Sequence, residues 1–466
     1  MCRMFHLFAL LVLAFALTGC APNVSPAVPS PLVPTLPIAP KLTLTPDSTP
    51  TVAPTASSTP TVASTASSTP TVAPTASSTP MPSPTVATTP SAAEILFLRG
   101  GVLVALNVVT GTERRLADHV QAFAATPNGR RLALARGDGA ATELWLVARN
   151  GTNLQQLTRN DWAESSLSWS PDGQSLAYTA ASGLAPRVPT WTAWAAWCAT
   201  AEVRVIAVVD GTERSLGLGC EPSFSPDGQR LAFTTAPTST LTGMDFPGAS
   251  NAIQVVNRQG EHGWRLAKAE EADSAEGYVV YGATWAPAGD RVAYQRFFGY
   301  QALVDINLTE LSSSFERKGE PIGFGAGWLL APRYAPDGTR VAVIEHNFSD
   351  SRGFSGYDIW SLKVLRLGEE EPLALPSGTL TLRAATNATL PRATGAAWSP
   401  DGTALAVVLP QHWQPGLSPQ ESAFSAEGPG ELWRWRPGAA PETKLAEGLD
   451  FASPLLWLPP LPATDG

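Results

Sequence analysis

The sequence predicts an all-β fold, a seven-bladed β-propeller behind a disordered stalk, and three observations predict it. A turn of the Pro-Asp-Gly type returns six times, with its proline at 127, 171, 226, 287, 336 and 400. Each copy leads into a short apolar strand, and the spacing of roughly 45–65 residues is that of propeller blades. The two ends of the chain supply the strands of one more unit.

The clearest copies are SWSPDGQSLAYT at 168–179, SFSPDGQRLAFT at 223–234 and AWSPDGTALAVV at 397–408. Weaker ones are AATPNGRRLALA at 124–135, TWAPAGDRVAYQ at 284–295 and RYAPDGTRVAVI at 333–344. Proline presets φ for the turn, aspartate bonds back to the backbone, and glycine accepts the left-handed conformation. In the third unit, residues 166–170 read as a first strand, 176–179 as a second, 202–209 as a third and 212–218 as a fourth. Asp210-Gly211 makes the last hairpin turn. The second unit repeats this with 143–147, Asn150-Gly151 and 154–158. Trp169, Phe224, Trp285, Tyr334 and Trp398 fall at one equivalent position, where flat side chains pack blade against blade.

Residues 94–118 supply three strands around a Thr110-Gly111 turn without a preceding first strand. The C-terminal SPLLWLPP has first-strand character, with Trp457 and Pro459 matching Trp169 and Pro171. Pairing the two completes a shared blade and removes the open sheet edges. Six internal units and one shared blade make seven.

These repeats resemble the TolB-like and WD-like propeller repeats of bacterial extracytoplasmic proteins, over the six motifs and through them most of 119–446. The resemblance implies a propeller. The family hosts scaffold proteins, peptidase caps and some lyases, so it implies no single activity. TolB itself carries an N-terminal α/β domain where this chain has a stalk.

The propeller is expected over 93–466, preceded by two segments of different composition. Residues 1–19 read as an export signal, with Arg3 before an apolar run. Leu17-Thr18-Gly19-Cys20 resembles a bacterial lipobox, which implies lipid on Cys20 and attachment to a bacterial membrane on its extracytoplasmic side. Residues 20–92 are a Pro/Thr/Ser/Ala tract, with TVAPTASSTP at 51–60 and 71–80 around TVASTASSTP at 61–70. Such composition cannot bury enough apolar surface to offset chain entropy.

Cys2 lies in the signal and Cys20 is the lipid site, which leaves Cys198 and Cys220. In an exported protein that pair is expected to form a disulfide. Net charge is −9 without a basic stripe, which argues against nucleic acid as a partner.

Most of the extra chain length falls in connections on the face opposite the Pro-Asp-Gly turns: 180–200, 235–250, 346–357 and 409–429, with interblade segments 269–280, 317–330 and 376–394. Loops on a rigid scaffold carry binding. The densest feature there is PTWTAWAAWCATA at 189–201, where Trp191, Trp194 and Trp197 line one side of a short helix. Indole rings can stack on a sugar or dock a protein, or can pack down onto the propeller. Phe297, Phe298, Tyr300, His412 and Trp413 join them as a candidate ligand face.

Catalytic signatures are missing: no Gly-x-Ser-x-Gly elbow, no His-Glu-x-x-His and no Cys-x-x-Cys. His119, His262, His346 and His412 are scattered, and Glu270, Glu271, Asp273 and Glu276 lack the spacing of a calcium loop. Gly323–Gly327 reads as a chain turn. No cofactor and no metal are expected. The sequence therefore points to a binding or scaffold module for a protein or glycan, with an enzyme acting on a small substrate in the propeller channel as the alternative.

Overall fold

The computed structural model describes residues 92–138, 141–186, 191–240, 248–268, 279–297, 301–308, 319–326, 328–347, 359–375, 378–411 and 428–461. Among the described residues, five four-stranded antiparallel sheets and one seven-stranded sheet, in which two blades share a strand, make up seven blades that follow one another along the chain, and a two-stranded hairpin is added to blade four. Blade one joins the C-terminal Leu456–Leu458 to Glu94–Arg99, with Trp457 opposite Ile95, and continues through Val102–Asn107 and Glu113–Ala117. The last described strand is thus the innermost of the first blade, and its pairing with Glu94–Arg99 closes the ring.

Blades two, three and four open with Val120–Ala125, Ala163–Trp169 and the second half of Glu213–Phe224. Blades five, six and seven open with Val279–Trp285, Trp328–Tyr334 and Gly395–Trp398. Glu213–Phe224 runs without interruption from the outer strand of blade three into the inner strand of blade four. The only helix among the described residues, α1 (Trp191–Ala199), lies in the connection between the second and third strands of blade three.

The turn motif closes as its residues dictate. Asp172 Oδ1 accepts from the Ser170 hydroxyl at 2.6 Å and from the Gln174 N–H at 3.0 Å, while Gly173 takes φ +65°. The residue four after the proline then latches adjacent blades. Arg340 stacks on Trp398 of the next blade and donates to the Gly402 carbonyl at 2.8 Å. The Trp398 indole donates back to the Arg333 carbonyl at 3.0 Å. Arg131 with Trp169, and Arg230 with Trp285, repeat the same latch.

A second recurrent device shapes the channel. Ser166, Glu221 and Gly282 each sit five residues before the motif proline and take φ of +51°, +56° and +67°. The inner strands of blades three to six slip register there, so each carries a bulge at the channel wall. Equivalent positions touch: a Cβ on Gly282 would lie 3.3 Å from the Ala331 Cα and Cβ of blade six.

Two sequence expectations are corrected. Residues 376–394 are not an interblade connection, because Gly378–Pro391 is the outer strand of blade six and pairs with Ile359–Leu375 in a long hairpin. The glycines at 323 and 325 do not turn the chain; they lie in the outer strand Glu320–Ala326 of blade five. Gly323 has a packing reason, since a Cβ there would meet Leu365 of blade six at 2.7 Å.

Candidate functional site

Cys198 and Cys220 form a disulfide with Cα atoms 5.4 Å apart. It joins α1 to the inner strand of blade four and is fully buried. Beside it the Trp194 indole donates to Glu221 Oε1 at 3.1 Å, and Glu221 Oε2 accepts the Gly282 N–H at 3.0 Å. The Glu221 N–H in turn bonds Thr179 Oγ of blade three. Burial pushes the Glu221 carboxyl above its ordinary range, against the bonds from Trp194 and Gly282 that favour its charged form.

Three members of the candidate ligand face, Trp194, Trp197 and Phe297, are corrected to core residues. Trp194 and Trp197 are 3% and 8% exposed and belong to a core cluster with Val279, Tyr281 and Phe297. Phe297 is equally buried. The segment around them is almost wholly Ala and Thr, so burying the large rings is how a short helix attaches to the sheet. The Trp191 side chain lies outside the described residues, as do Phe298, Tyr300, His412 and Trp413 in full. The same holds for Cys20 and for the acidic run at 270–276. His346 is buried and stacks on Trp360, while His119 and His262 are exposed.

What the structure does present is a cavity of about 360 Å³ at the mouth of the channel. It lies among the starts of the inner strands of blades two and three, the connection from blade seven to blade one, and the chain leading to α1. These are connections of the face opposite the Pro-Asp-Gly turns. Its apolar lining includes Leu184, Ala185, Pro186, Phe451 and Pro454. Leu184 remains 40% exposed, and Ala185 packs against the core cluster that holds α1. Polar groups in the lining include Gln121, Glu164, Ser165, Ser166, Asp450 and Ser453.

Glu164 is the unusual member. Its oxygens accept from Asn160 Nδ2 and the Thr158 hydroxyl, both at 2.9 Å, and its side chain is nearly enclosed. Burial raises its carboxyl to about 7, assisted by the nearby Glu143 and Glu213 charges. Asp450 accepts the Gly100 and Gly101 N–H groups and so ties the blade-one hairpin to the cavity wall.

Sequence inspection passed over this site, although one signal was present. Glu164 stands seven residues before its motif proline, where the other blades place Val120, Gly219, Val280, Leu329, Ala393 and Ala452. A carboxylic acid at a position otherwise small or apolar marks a special environment. Asp450 and Phe451 carried no comparable signal, because they lie in the one connection that has no repeat to compare with. Among the described residues no cluster of three or more His, Cys, Asp or Glu could hold a metal ion.

No family model matches the chain, and no curated protein matches it. Solved structures similar to it include TolB from Acinetobacter baumannii, 15% identical, covering 59% of this chain and 61% of that one with a TM-score of 0.38. Oligogalacturonate lyase from Vibrio parahaemolyticus is 13% identical over 68% of this chain and 88% of its own, with a TM-score of 0.44. The Cps50 (Swd1) β-propeller domain of Myceliophteria thermophila is 13% identical over 70% and 86%, with a TM-score of 0.43. At such distances these similarities assign no activity. On its own sheet order, the chain is a seven-bladed β-propeller.

Proposed function

We propose that this chain is a lipid-anchored, extracytoplasmic binding module whose propeller, held off a bacterial membrane by the Pro/Thr/Ser stalk, takes a ligand at the channel mouth. The observation that carries this reading is the cavity between Leu184–Pro186 and the inner strands of blades two and three. Its volume and its mix of apolar surface with a few polar groups suit a ligand-sized guest. An exposed leucine at its rim offers surface that a partner would gain by covering.

The enzymatic alternative has one observation in its favour, the Glu164 carboxyl raised to about 7. Both Glu164 oxygens, however, accept bonds from Asn160 and Thr158, and the side chain is almost fully enclosed. Binding is therefore the better supported function. The test places a photo-reactive residue at Leu184 and, as a control on the opposite face, at Thr403, followed by cross-linking on intact cells. A discrete adduct from position 184 that disappears in an Ala122→Phe background is expected. Equal adducts from both positions, or none from 184, would contradict the assignment.

A further inference from the structure

The innermost strands set one residue of each blade in a common ring around the channel. In blade six it is Arg333, three residues before the motif proline and opposite Ala342 of the second strand. The same place in the other blades is taken by Ala124, Ser168, Ser223, Thr284, Ala397 and Leu456, all uncharged. Arg333 is exposed to water, which a residue of an innermost strand reaches only by way of the channel. Protein nevertheless surrounds it closely enough for burial to lower its pKa, although an arginine keeps its proton. The guanidinium therefore stands in the channel, wetted yet ringed by protein. Its backbone is fixed, since the Arg333 carbonyl accepts the Trp398 indole N–H at 3.0 Å. Its side chain is not: among the described residues the guanidinium has no hydrogen-bond or ion-pair partner, and no acidic group offsets the burial. Glu221, on the innermost strand of blade four, is instead held by Trp194 and Gly282. The latch arginines differ in the same way, for Arg131, Arg230 and Arg340 each donate to a carbonyl of the next blade. A desolvated cation without a partner lowers stability, so its place is explained by a counter-charge that arrives from outside.

We infer that the propeller channel binds the carboxylate group of a small ligand, gripped by the Arg333 guanidinium. The planar fork presents paired N–H donors that match the two oxygens of a carboxylate. Thr284 of blade five and Ser223 of blade four carry hydroxyls in the same ring, and among the described residues neither hydroxyl has a partner. Ala397, in blade seven on the other side, adds no bulk. One cation balances one negative charge. A phosphate dianion would bring a second charge against the net −9 of the chain, which disfavours it more than a carboxylate. The site is separate from the channel-mouth cavity, and either can fail without the other.

The test uses the mature, full-length protein in detergent and the arginine-selective reagent phenylglyoxal, with adducts located by peptide mass spectrometry. Sodium acetate, acetamide and sodium phosphate are titrated at constant ionic strength against sodium chloride. Acetate should slow the modification of Arg333 in a saturable way, by about ten-fold once it exceeds its Kd ten times over. Acetamide should have no effect, phosphate should protect less than acetate, and the exposed Arg130 should react at one rate throughout. In thermal unfolding, acetate should raise the midpoint of the wild type relative to chloride and leave that of Arg333→Gln unchanged. An Arg333 that acetate does not protect, or that never reacts in chloride, overturns the inference. Equal slowing at Arg130, or an equal midpoint gain in Arg333→Gln, assigns the effect to the solution and overturns it as well. Stronger protection by phosphate than by acetate overturns the carboxylate assignment and makes the site one for phosphate.

Discussion

The Trp194 indole N–H donates to Glu221 Oε1 at 3.1 Å, and this bond ties the helix of blade three to the inner wall of blade four. Through Glu221 Oε2 the same carboxyl reaches Gly282 of blade five, so one side chain links the helix to two inner strands. Replacing Trp194 with Phe keeps most of the ring and removes the donor, which should cost about 1–3 kcal/mol. Trp194→Ala should cost ~3–5 kcal/mol, as a core truncation does. Urea unfolding of both variants checks the order. Equal stability of Trp194→Phe and wild type would show that the bond contributes nothing.

The disulfide fastens the same helix one residue from Glu221. Substituting both Cys198 and Cys220 with Ser opens a loop of sequence separation 22 and should lower stability by about 3 kcal/mol. The expected readout is a lower urea midpoint for the double variant and an equal loss when the wild type is unfolded under reducing conditions. Because both sulfurs are buried, reductant should not act on the folded protein at the same rate as on the unfolded chain.

The interblade latches should carry stability that a single strand does not. Arg340→Ala removes both the stacking on Trp398 and the bond to the Gly402 carbonyl, a loss of about 1–2 kcal/mol. Arg340→Lys keeps the charge but not the planar fork, and should recover less than half of that loss. Thermal unfolding of the two variants separates packing from charge.

Much of this fold was legible in the sequence because its determinants are local. Proline, aspartate and glycine act within one turn, and Trp398 or Trp285 advertises a blade interface by its distance from that turn. The shared blade was legible for the same reason: Trp457-Leu458-Pro459 repeats the pattern of Trp169-Ser170-Pro171. The site was not legible in this way. Its walls come from blades one, two, three and seven, and residues such as Leu184 and Phe451 meet only when the ring closes. Trp194 and Trp197 misled because a cluster of indoles has the same sequence signature whether it faces solvent or a core, and the partners that bury them, Val279 and Tyr281, lie two blades further along the chain.

Stability should also report on Glu164. Its folded pKa of about 7 lies above the ordinary 4.5, so between these values the folded state binds more protons than the unfolded one. Stability therefore falls as pH rises from about 4.5 through about 7, by up to about 3 kcal/mol from this group. Asp401, held near 2 chiefly by the Ser399 hydroxyl, acts in the opposite sense and only below the ordinary carboxylate range, so the two effects do not overlap. Glu164→Gln should flatten the slope between pH 5 and pH 8 in urea titrations. An unchanged slope would assign it to other groups.

The proposed lipid anchor predicts a chemical mass. The mature N-terminus should be Cys20 carrying lipid, and Cys20→Ala should leave the protein unprocessed or release it from membranes. Mass spectrometry showing an unmodified residue 20 in the mature wild type would rule the anchor out.

The binding claim is tested most directly by hydrogen–deuterium exchange of the protein on its native membranes, compared with the same protein purified in detergent. Peptides covering 163–169, 182–186 and 449–458 should exchange more slowly on membranes, and that difference should vanish in Ala122→Phe. Peptides across the Pro-Asp-Gly turns, such as 399–404, should be unaffected. Protection confined to those turns, or no difference at the channel mouth, would contradict the account.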